Sequence, residues 1–252
     1  MAFTNSEAYS RFMGRFSEPL AAVFTDFARV PDPTHVLDVG CGPGMLTVEL
    51  VERYGAGAVA AVDPSAEFVA TARARLPDVD VRRATAEDLP YDNQTFDAAL
   101  AQLVVHFMAD PVAGLSEMRR VTKPGGLVAA CSWDSSEDGG PLSVFDAAAR
   151  ELHPGVQGEV DRAGTRPGHM AELFGAAGFA QIEDGRIGVT LPFASFEAWW
   201  EPFTLGVGPA GDLVASLDEE GRQQLADACR ARLPEPPFEL TVWAWAARGT
   251  VP

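Results

Sequence analysis

Three glycines at alternate positions, Gly40, Gly42 and Gly44, follow an apolar run that carries one acid, Asp38. Because glycine has no Cβ and adopts positive φ without strain, ligand atoms can lie against the main chain at such a turn. Residues 45–51 have the composition of a helix, and its first N–H groups would face the same ligand. The pattern predicts a site for a small molecule that carries a carboxylate or a phosphate.

The glycine spacing distinguishes between two kinds of nucleotide-derived ligand. A dinucleotide fingerprint reads G-x-G-x-x-G and would need glycine at the position of Met45. This chain reads G-x-G-x-G, with Pro43 between the last two glycines. The spacing therefore disfavours a nicotinamide-dependent oxidoreductase, which we keep as the third of three hypotheses.

A second acid, Asp63, ends the next apolar run and is followed by Pro64 and Ser65. A carboxylate at the tip of a second strand, about 20 residues beyond a glycine turn, is placed to accept two hydrogen bonds from a ribose diol. The alternative is that Asp63 or Ser65 caps a helix predicted over 66–76. The interval from the glycines favours the ribose.

Two later segments could complete a nucleoside site. Thr85, Ala86 and Glu87 together offer an apolar slot, an acceptor for an amino group and a backbone N–H, as adenine requires. Residues 95–107 are apolar on both faces and predict a buried strand that leaves Gln102 at the mouth of the site. Taken alone, the first segment is typical of an acidic surface turn.

These motifs occur in the order and at the intervals of a known family. The runs V-L-D-V-G-C-G-P-G (36–44), A-E-D-L-P-Y (86–91) and K-P-G-G (123–126) resemble motifs of class I S-adenosylmethionine-dependent methyltransferases. The closest resemblance is to the methyltransferase type 11, or ubiquinone/menaquinone-biosynthesis-like, group. It covers about residues 35 to 133.

The resemblance implies a fold, a cofactor and a set of binding residues. The fold is α/β: a Rossmann-like, seven-stranded, mostly parallel sheet with one antiparallel edge strand, helices on both faces and a helical, aromatic insertion before the last strand. The cofactor is S-adenosyl-L-methionine, which leaves as S-adenosyl-L-homocysteine after in-line displacement. The residues that would bind it are Asp38, Gly40, Cys41, Gly42, Gly44, Asp63, Pro64, Thr85, Ala86, Glu87, Gln102 and Leu103.

The flanking segments carry further hypotheses. Residues 1–34 predict a helical segment. In similar enzymes such a segment lies over the cofactor site, which would let Tyr9 and Arg15 close on the methionine carboxylate, although packing and solvent contact are equally good roles for them. Residues 35–252 would form the methyltransferase domain, with the insertion at 192–237. The aromatic side chains predicted to line a substrate pocket are Trp133, Trp199, Trp200 and Phe203; anchoring of the insertion is the alternative.

One side chain is a candidate base for the acceptor. His106 follows the predicted fourth strand on the acceptor side, and packing is the alternative role. Glu137 and Asp138 are weaker candidates on a loop after the fifth strand. No cluster of residues with metal-ligand spacing predicts a metal site.

Composition sets the broad class. The chain has 252 residues, 47% of them hydrophobic, and a formal net charge of −17, so it can bury one substantial core and would repel nucleic acid. Scattered cysteines, the lack of a basic and apolar leader, and the lack of a run of ~20 apolar residues favour a cytoplasmic protein with no membrane association. We expect a small-molecule acceptor, hydrophobic in one version of the hypothesis. A homodimer, and a non-catalytic cofactor-binding or regulatory protein of the same fold, stay open.

Overall fold

The computed structural model describes residues 10–31, 35–136, 139–153 and 162–252, and every structural statement below refers to these residues. They form one seven-stranded sheet. Its strands are β1 (Val36–Val39), β2 (Val59–Asp63), β3 (Asp80–Arg83), β4 (Phe96–Gln102), β5 (Thr122–Trp133), β6 (Ala180–Phe193) and β7 (Phe238–Thr250).

The strands lie in the order β3-β2-β1-β4-β5-β7-β6. Neighbouring strands from β3 to β5 are parallel, whereas β7 runs antiparallel to both β5 and β6. The predicted α/β fold is confirmed, with one refinement. The strand that runs against the others is β7, which lies one place inside the edge, and β6 is the edge strand.

Helices cover both faces of this sheet and divide the core into two clusters. Strands β1 and β2 are buried along their whole length because a central parallel strand has helices on both sides. The helices are α1 (Arg15–Ala28), α2 (Met45–Tyr54), α3 (Ala66–Arg75), α4 (Pro111–Val121), α5 (Ser143–Leu152), α6 (His169–Ala176), α7 (Phe196–Trp200), α8 (Gly208–Ser216) and α9 (Glu219–Arg230). Helices α4 and α6 contribute to one cluster, and the other helices contribute to the second.

Two local predictions differ from the structure. The K-P-G-G pattern predicts a turn followed by a strand over 127–132, but β5 already begins at Thr122. The glycine-rich stretch 206–211 predicts a break in the chain, but it contains the start of α8. Pro209 explains the second difference, because proline in the first turn of a helix loses no intrahelical hydrogen bond.

The described part of the N-terminal segment is helical and belongs to the main core. A π-helical turn (Ser10–Gly14) leads into α1, which packs on α2 and β6. Phe16, Leu20 and Phe24 are buried in the same cluster as the central strands. The described part of the segment therefore packs against the sheet as part of its core.

The insertion between β6 and β7 is also anchored in that core. Trp199 is 0% exposed, and its ring lies 4.8 Å from Phe203. Phe203 in turn stacks on Phe145 of α5 at 4.7 Å and contacts Phe12 at 5.1 Å. The aromatic residues join the insertion to α5 and to the N-terminal turn. None of the described helices is long and apolar enough to cross a membrane.

The core position of Trp199 makes a stability prediction. Trp199→Ala should lower the free energy of unfolding by about 3–5 kcal/mol, because it removes a large, fully buried side chain. Urea denaturation followed by far-ultraviolet circular dichroism measures the loss. The neighbouring Trp200→Ala, at a half-buried position, serves as the control and should cost less. Equal losses for the two variants would contradict this placement of Trp199.

Candidate functional site

A crevice opens where the order of the strands reverses, between β1 and β4. Ligands of open α/β sheets bind at this position because the two neighbouring connections leave on opposite faces. The crevice encloses a cavity of about 400 Å³, which lies in the usual range for small-molecule sites. It is lined by Ser17, Asp38, Gly40, Cys41, Gly42, Pro43, Met45, Leu46, Asp63, Pro64, Ser65, Phe68, Gln102, Leu103, Val104 and Phe107.

Asp63 joins the turns that follow β1 and β2. Its Oδ2 accepts a hydrogen bond from the N–H of Gly42 at 2.9 Å, and its Oδ1 accepts one from the N–H of Ser65 at 2.8 Å. The Asp63 side chain is buried in the cavity wall, and this burial raises the pKa of the carboxyl. Since a carboxylate oxygen has two lone pairs, each oxygen can accept one further hydrogen bond from a ligand.

The glycines of the first turn have different roles. Gly40 has φ of 75°, and a Cβ there would lie 2.4 Å from Cγ2 of Val104, so a side chain would collide with the end of β4. Gly42 has φ of 54°, and a Cβ there would meet no protein atom within 4 Å. Gly40 allows close packing of two strand ends, whereas Gly42 leaves space in the cavity. Gly44 does not line the cavity; it precedes α2 with φ of 97°.

Asp38 is buried at the base of the same cavity. Its Oδ2 accepts a hydrogen bond from Oγ1 of Thr47 at 2.6 Å. Burial raises the pKa of the Asp38 carboxyl to about 7, while the hydrogen bond from Thr47 acts in the opposite direction. A cation in the cavity would favour the ionised form of this group.

The end of β4 supplies the opposite wall. Nε2 of Gln102 donates a hydrogen bond to the carbonyl of Ser17 in α1 at 2.8 Å, whereas Oε1 is buried and accepts none from the described residues. Leu103 has φ of 63°, which is unusual for a residue with a side chain, and its N–H donates to the carbonyl of Cys131. Gln102 therefore offers a free acceptor in the wall of the cavity.

A second cavity, of about 100 Å³, adjoins the first. Leu103 and Phe107 line both cavities, so they form a shared wall. Phe107 is 50% exposed, which is unusual for a large apolar side chain. The other lining residues are Phe12, Met13, His106, Trp133, Asp134, Ser135, Ser136, Gly140, Pro141, Leu142, Ser143, Asp146, Arg150, Thr165, Val207, Gly208, Pro209 and Ala210.

His106 lines the second cavity but is a poor base. Burial and the nearby charge of Arg162 lower the pKa of His106 to about 3, so the imidazole is neutral at pH 7. Its Nδ1 shares a hydrogen bond with Oγ of Ser132 at 3.2 Å, and its ring lies 4.0 Å from that of Phe107. An imidazole that gains its proton only near pH 3 takes a proton from an acceptor inefficiently.

Several predicted cofactor residues lie outside the wall of the first cavity. Thr85, Ala86 and Glu87 are absent from its lining. Oε1 of Glu87 instead accepts hydrogen bonds from the N–H groups of Ala109, at 2.8 Å, and Asp110, at 3.4 Å. The carboxylate thus satisfies backbone donors just before α4.

Arg15 does not reach the cavity either. Its guanidinium donates to the carbonyls of Ala198 and Trp199, both at 3.2 Å, because a short helix leaves such carbonyls without partners. Burial lowers the pKa of Arg15 to about 10, and the side chain stays cationic. Tyr9, Glu137 and Asp138 lie outside the described residues.

Of the four aromatic residues predicted for a substrate pocket, the structure brings only Trp133 to the second cavity. Trp199, Trp200 and Phe203 pack on one another at ring distances of 4.8 to 6.4 Å, and none of the three lines either cavity. Trp199 and Phe203 are buried in the core, and Trp200 is half-buried.

Other residues of the site were missed in the sequence. Ser17 and Phe68 line the first cavity, and Phe12, Met13 and one face of α5 line the second. These residues come from segments with no recognisable motif, so only the tertiary structure reveals them. Among the described residues, no group of three or more His, Cys, Asp or Glu side chains could hold a metal ion.

The sheet order and the position of the crevice define a Rossmann-like methyltransferase fold. Residues 37–130 match the sequence family described as "Methyltransferase domain". The matched residues extend from β1 into β5 and include the glycine turn and Asp63.

Two curated relatives match about half of the chain. An uncharacterised methyltransferase of Mycobacterium tuberculosis is 38% identical over 131 residues, which are 52% of this chain and 51% of that protein. The ubiquinone biosynthesis O-methyltransferase of Cereibacter sphaeroides is 38% identical over 123 residues, which are 46% and 49% of the two chains. The chain spans about half the length of the curated relatives it matches.

A solved structure shares the fold over nearly the whole chain. Phosphoethanolamine N-methyltransferase 2 of Haemonchus contortus, in complex with phosphomonomethylethanolamine and S-adenosylhomocysteine, has a TM-score of 0.59 and 17% identity to this chain. The match covers 99% of this chain and 57% of the other.

The raised pKa of Asp38 makes a prediction about stability and pH. The folded protein holds the Asp38 proton up to about pH 7, whereas the unfolded chain releases it near pH 3.8. Asp38 therefore stabilises the fold at low pH, and this contribution is lost as the pH rises to about 7. Between pH 4 and 8, the free energy of unfolding of wild type should therefore fall by about 4 kcal/mol more than that of Asp38→Asn. Urea titrations of both proteins across this range measure the difference, and parallel curves would contradict it.

Proposed function

We propose that the chain is an S-adenosylmethionine-dependent methyltransferase that transfers a methyl group to a small-molecule acceptor. The observation that carries the proposal is the pair of adjoining cavities at the reversal point of the sheet, which share Leu103 and Phe107. A donor in the first cavity and an acceptor in the second would meet at this wall. The match of residues 37–130 to a methyltransferase domain supports the assignment.

The residues of the first cavity fit the proposed cofactor. Asp63 has lone pairs free for a ribose diol after its two backbone hydrogen bonds. Oε1 of Gln102 is a buried acceptor for an ammonium group, and the open side of Gly42 leaves room for an amino-acid chain. The relative from Haemonchus contortus, which binds S-adenosylhomocysteine, supports the same choice.

The protein's contribution to the reaction is alignment and exclusion of water. The bound cofactor supplies a sulfonium methyl group that is already reactive toward a nucleophile. The chain must then hold the acceptor atom about 3–3.5 Å from the methyl carbon and in line with the bond that breaks. The apolar side chains of Leu103, Phe107 and Trp133 keep this region dry.

The function can be tested with the cofactor product and with a metabolite extract. Calorimetry should show binding of S-adenosylhomocysteine and no binding of NAD. Incubation of the protein and S-adenosylmethionine with the extract, followed by mass spectrometry, should reveal a methylated small molecule. Binding of S-adenosylhomocysteine without transfer to any metabolite would favour a non-catalytic, cofactor-binding protein. Binding of NAD alone would overturn the proposal.

The role of Asp63 predicts a loss of cofactor affinity. Asp63→Ala should weaken binding of S-adenosylhomocysteine by about 1.5–3 kcal/mol, because charge-assisted hydrogen bonds to the ribose are lost. Calorimetry measures the change. Asp218→Ala is a matched control, since its Oδ1 also accepts a backbone N–H, that of Gly221 at 2.8 Å, but lies outside both cavities. Equal affinities of wild type and Asp63→Ala would rule out the ribose contact.

The lowered pKa of His106 predicts a pH profile. His106→Gln should reduce kcat by less than about tenfold, whereas loss of a general base typically costs 10²–10⁴-fold. Because His106 is neutral above about pH 3, the kcat profiles of both proteins should have the same shape from pH 5 to 9. Rates with the metabolite found above would be measured across this range. A rising limb near pH 6 to 7 that is present in wild type only would restore His106 as the base.

A further inference from the structure

We propose that the second cavity selects acceptors with a small apolar body and one carboxylate, and that Arg150 binds this carboxylate. The inference rests on the function proposed above, because it assigns the second cavity to the acceptor. It concerns the chemical class of that acceptor, which the motifs of the first cavity do not address.

Arg150 lies in the wall of the cavity with hydrogen-bond donors that have no partner among the described residues. The side chain lies on α5 and is half-buried. Its Nε donates to the carbonyl of Asp146 at 3.2 Å, which fixes the stem. The two terminal nitrogens make no hydrogen bond or ion pair to any residue that the structure describes. A guanidinium held in this way presents two parallel N–H groups, which match the two oxygens of a carboxylate.

One of the two acidic residues in the lining is already paired with another arginine. Asp134 is buried and pairs with Nη2 of Arg186 at 2.7 Å, and it also accepts the N–H of Ser136 at 2.9 Å. The second acid, Asp146, lies one turn before Arg150 on α5, and its carbonyl is the acceptor of the Nε hydrogen bond.

A second guanidinium lies near the cavity. Arg162 lies 5.5 Å from the ring of Phe107 and is close enough to His106 to lower the pKa of that group. In a chain with a formal net charge of −17, the terminal nitrogens of Arg150, which have no partner among the described residues, favour an anion at this wall.

The rest of the lining sets the size and polarity of the acceptor. Met13, Trp133, Leu142 and Val207 provide apolar surface. The volume of about 100 Å³ is somewhat smaller than the ~150 Å³ of a cavity that holds benzene, so the buried part is about the size of a small ring or a short branched chain. One guanidinium balances the single charge of a carboxylate, whereas a phosphate monoester carries about −1.5 to −2 at pH 7.

Matched probes test the inference. Isobutyrate, isobutyramide and isobutylamine, and the corresponding benzoate, benzamide and benzylamine, differ mainly in the charge of one group. Their affinities would be measured by ligand-observed NMR on protein saturated with S-adenosylhomocysteine. The affinity of wild type for each acid should be at least about tenfold higher than its affinity for the corresponding amide or amine. Arg150→Gln should abolish the preference, and Arg150→Lys should keep part of it.

A control variant and the cofactor separate the possible failures. Arg222→Gln is the matched control, because Nε of Arg222 also donates to a backbone carbonyl, that of Leu217 at 2.9 Å, away from both cavities. It should bind the probes like wild type. All variants should bind S-adenosylhomocysteine with unchanged affinity, and a wild type that fails to bind it would overturn the proposed function itself.

The remaining outcomes bear on the carboxylate alone. With S-adenosylhomocysteine bound, equal affinities for acid and amide, a preference for the amine, or no detectable probe binding would overturn the assignment of Arg150. In the extract assay, the acceptor that gains the methyl group should carry a carboxylate at neutral pH. The product keeps this negative charge unless the carboxylate itself is methylated to an ester. A product formed from a neutral or cationic acceptor would contradict the inference.

Discussion

The crevice depends on one carboxylate that holds two turns together. Asp63 accepts the N–H of Gly42 from the turn after β1 and the N–H of Ser65 from the turn after β2. Both donors belong to chain segments that must leave the sheet at its carboxyl edge, and each would lack a partner without this side chain. Because the two turns are fixed relative to each other, the floor of the larger cavity has a defined shape before any ligand enters.

The parts of the fold that local chemistry dictates could be predicted from the sequence. Strands β1, β2 and β4 were predicted because residues buried on both faces must be apolar, and the glycine turn because positive φ at Gly40 and Gly42 excludes most side chains. The alternation of polar and apolar residues over 181–191 and 238–248 also predicts two strands that pair antiparallel at one edge of the sheet, as β6 and β7 do. In each case the information lies within a few consecutive residues.

The acceptor side could not be predicted because its wall comes from distant segments. Met13, Trp133, Arg150 and Val207 meet only after the N-terminal π-helical turn, β5, α5 and the insertion have packed together. Tryptophan and phenylalanine serve equally well in a core and in a binding surface, so the sequence alone could not place Trp199 in the core and Trp133 at the cavity. The role of Arg15 stays open in the sequence for the same reason, because a guanidinium binds a ligand carboxylate and backbone carbonyls alike.

The wall formed by Leu103 and Phe107 has a thermodynamic consequence. A ligand in one cavity packs against side chains that also line the other cavity. The free energies of binding at the two cavities are therefore coupled through these side chains. Coupling of this kind is reciprocal: if one ligand raises the affinity of the second ligand by some factor, the second raises the affinity of the first by the same factor. Leu103 has a positive φ, which residues with a side chain rarely adopt, and its side chain lines both cavities. The coupling can therefore act through this side chain.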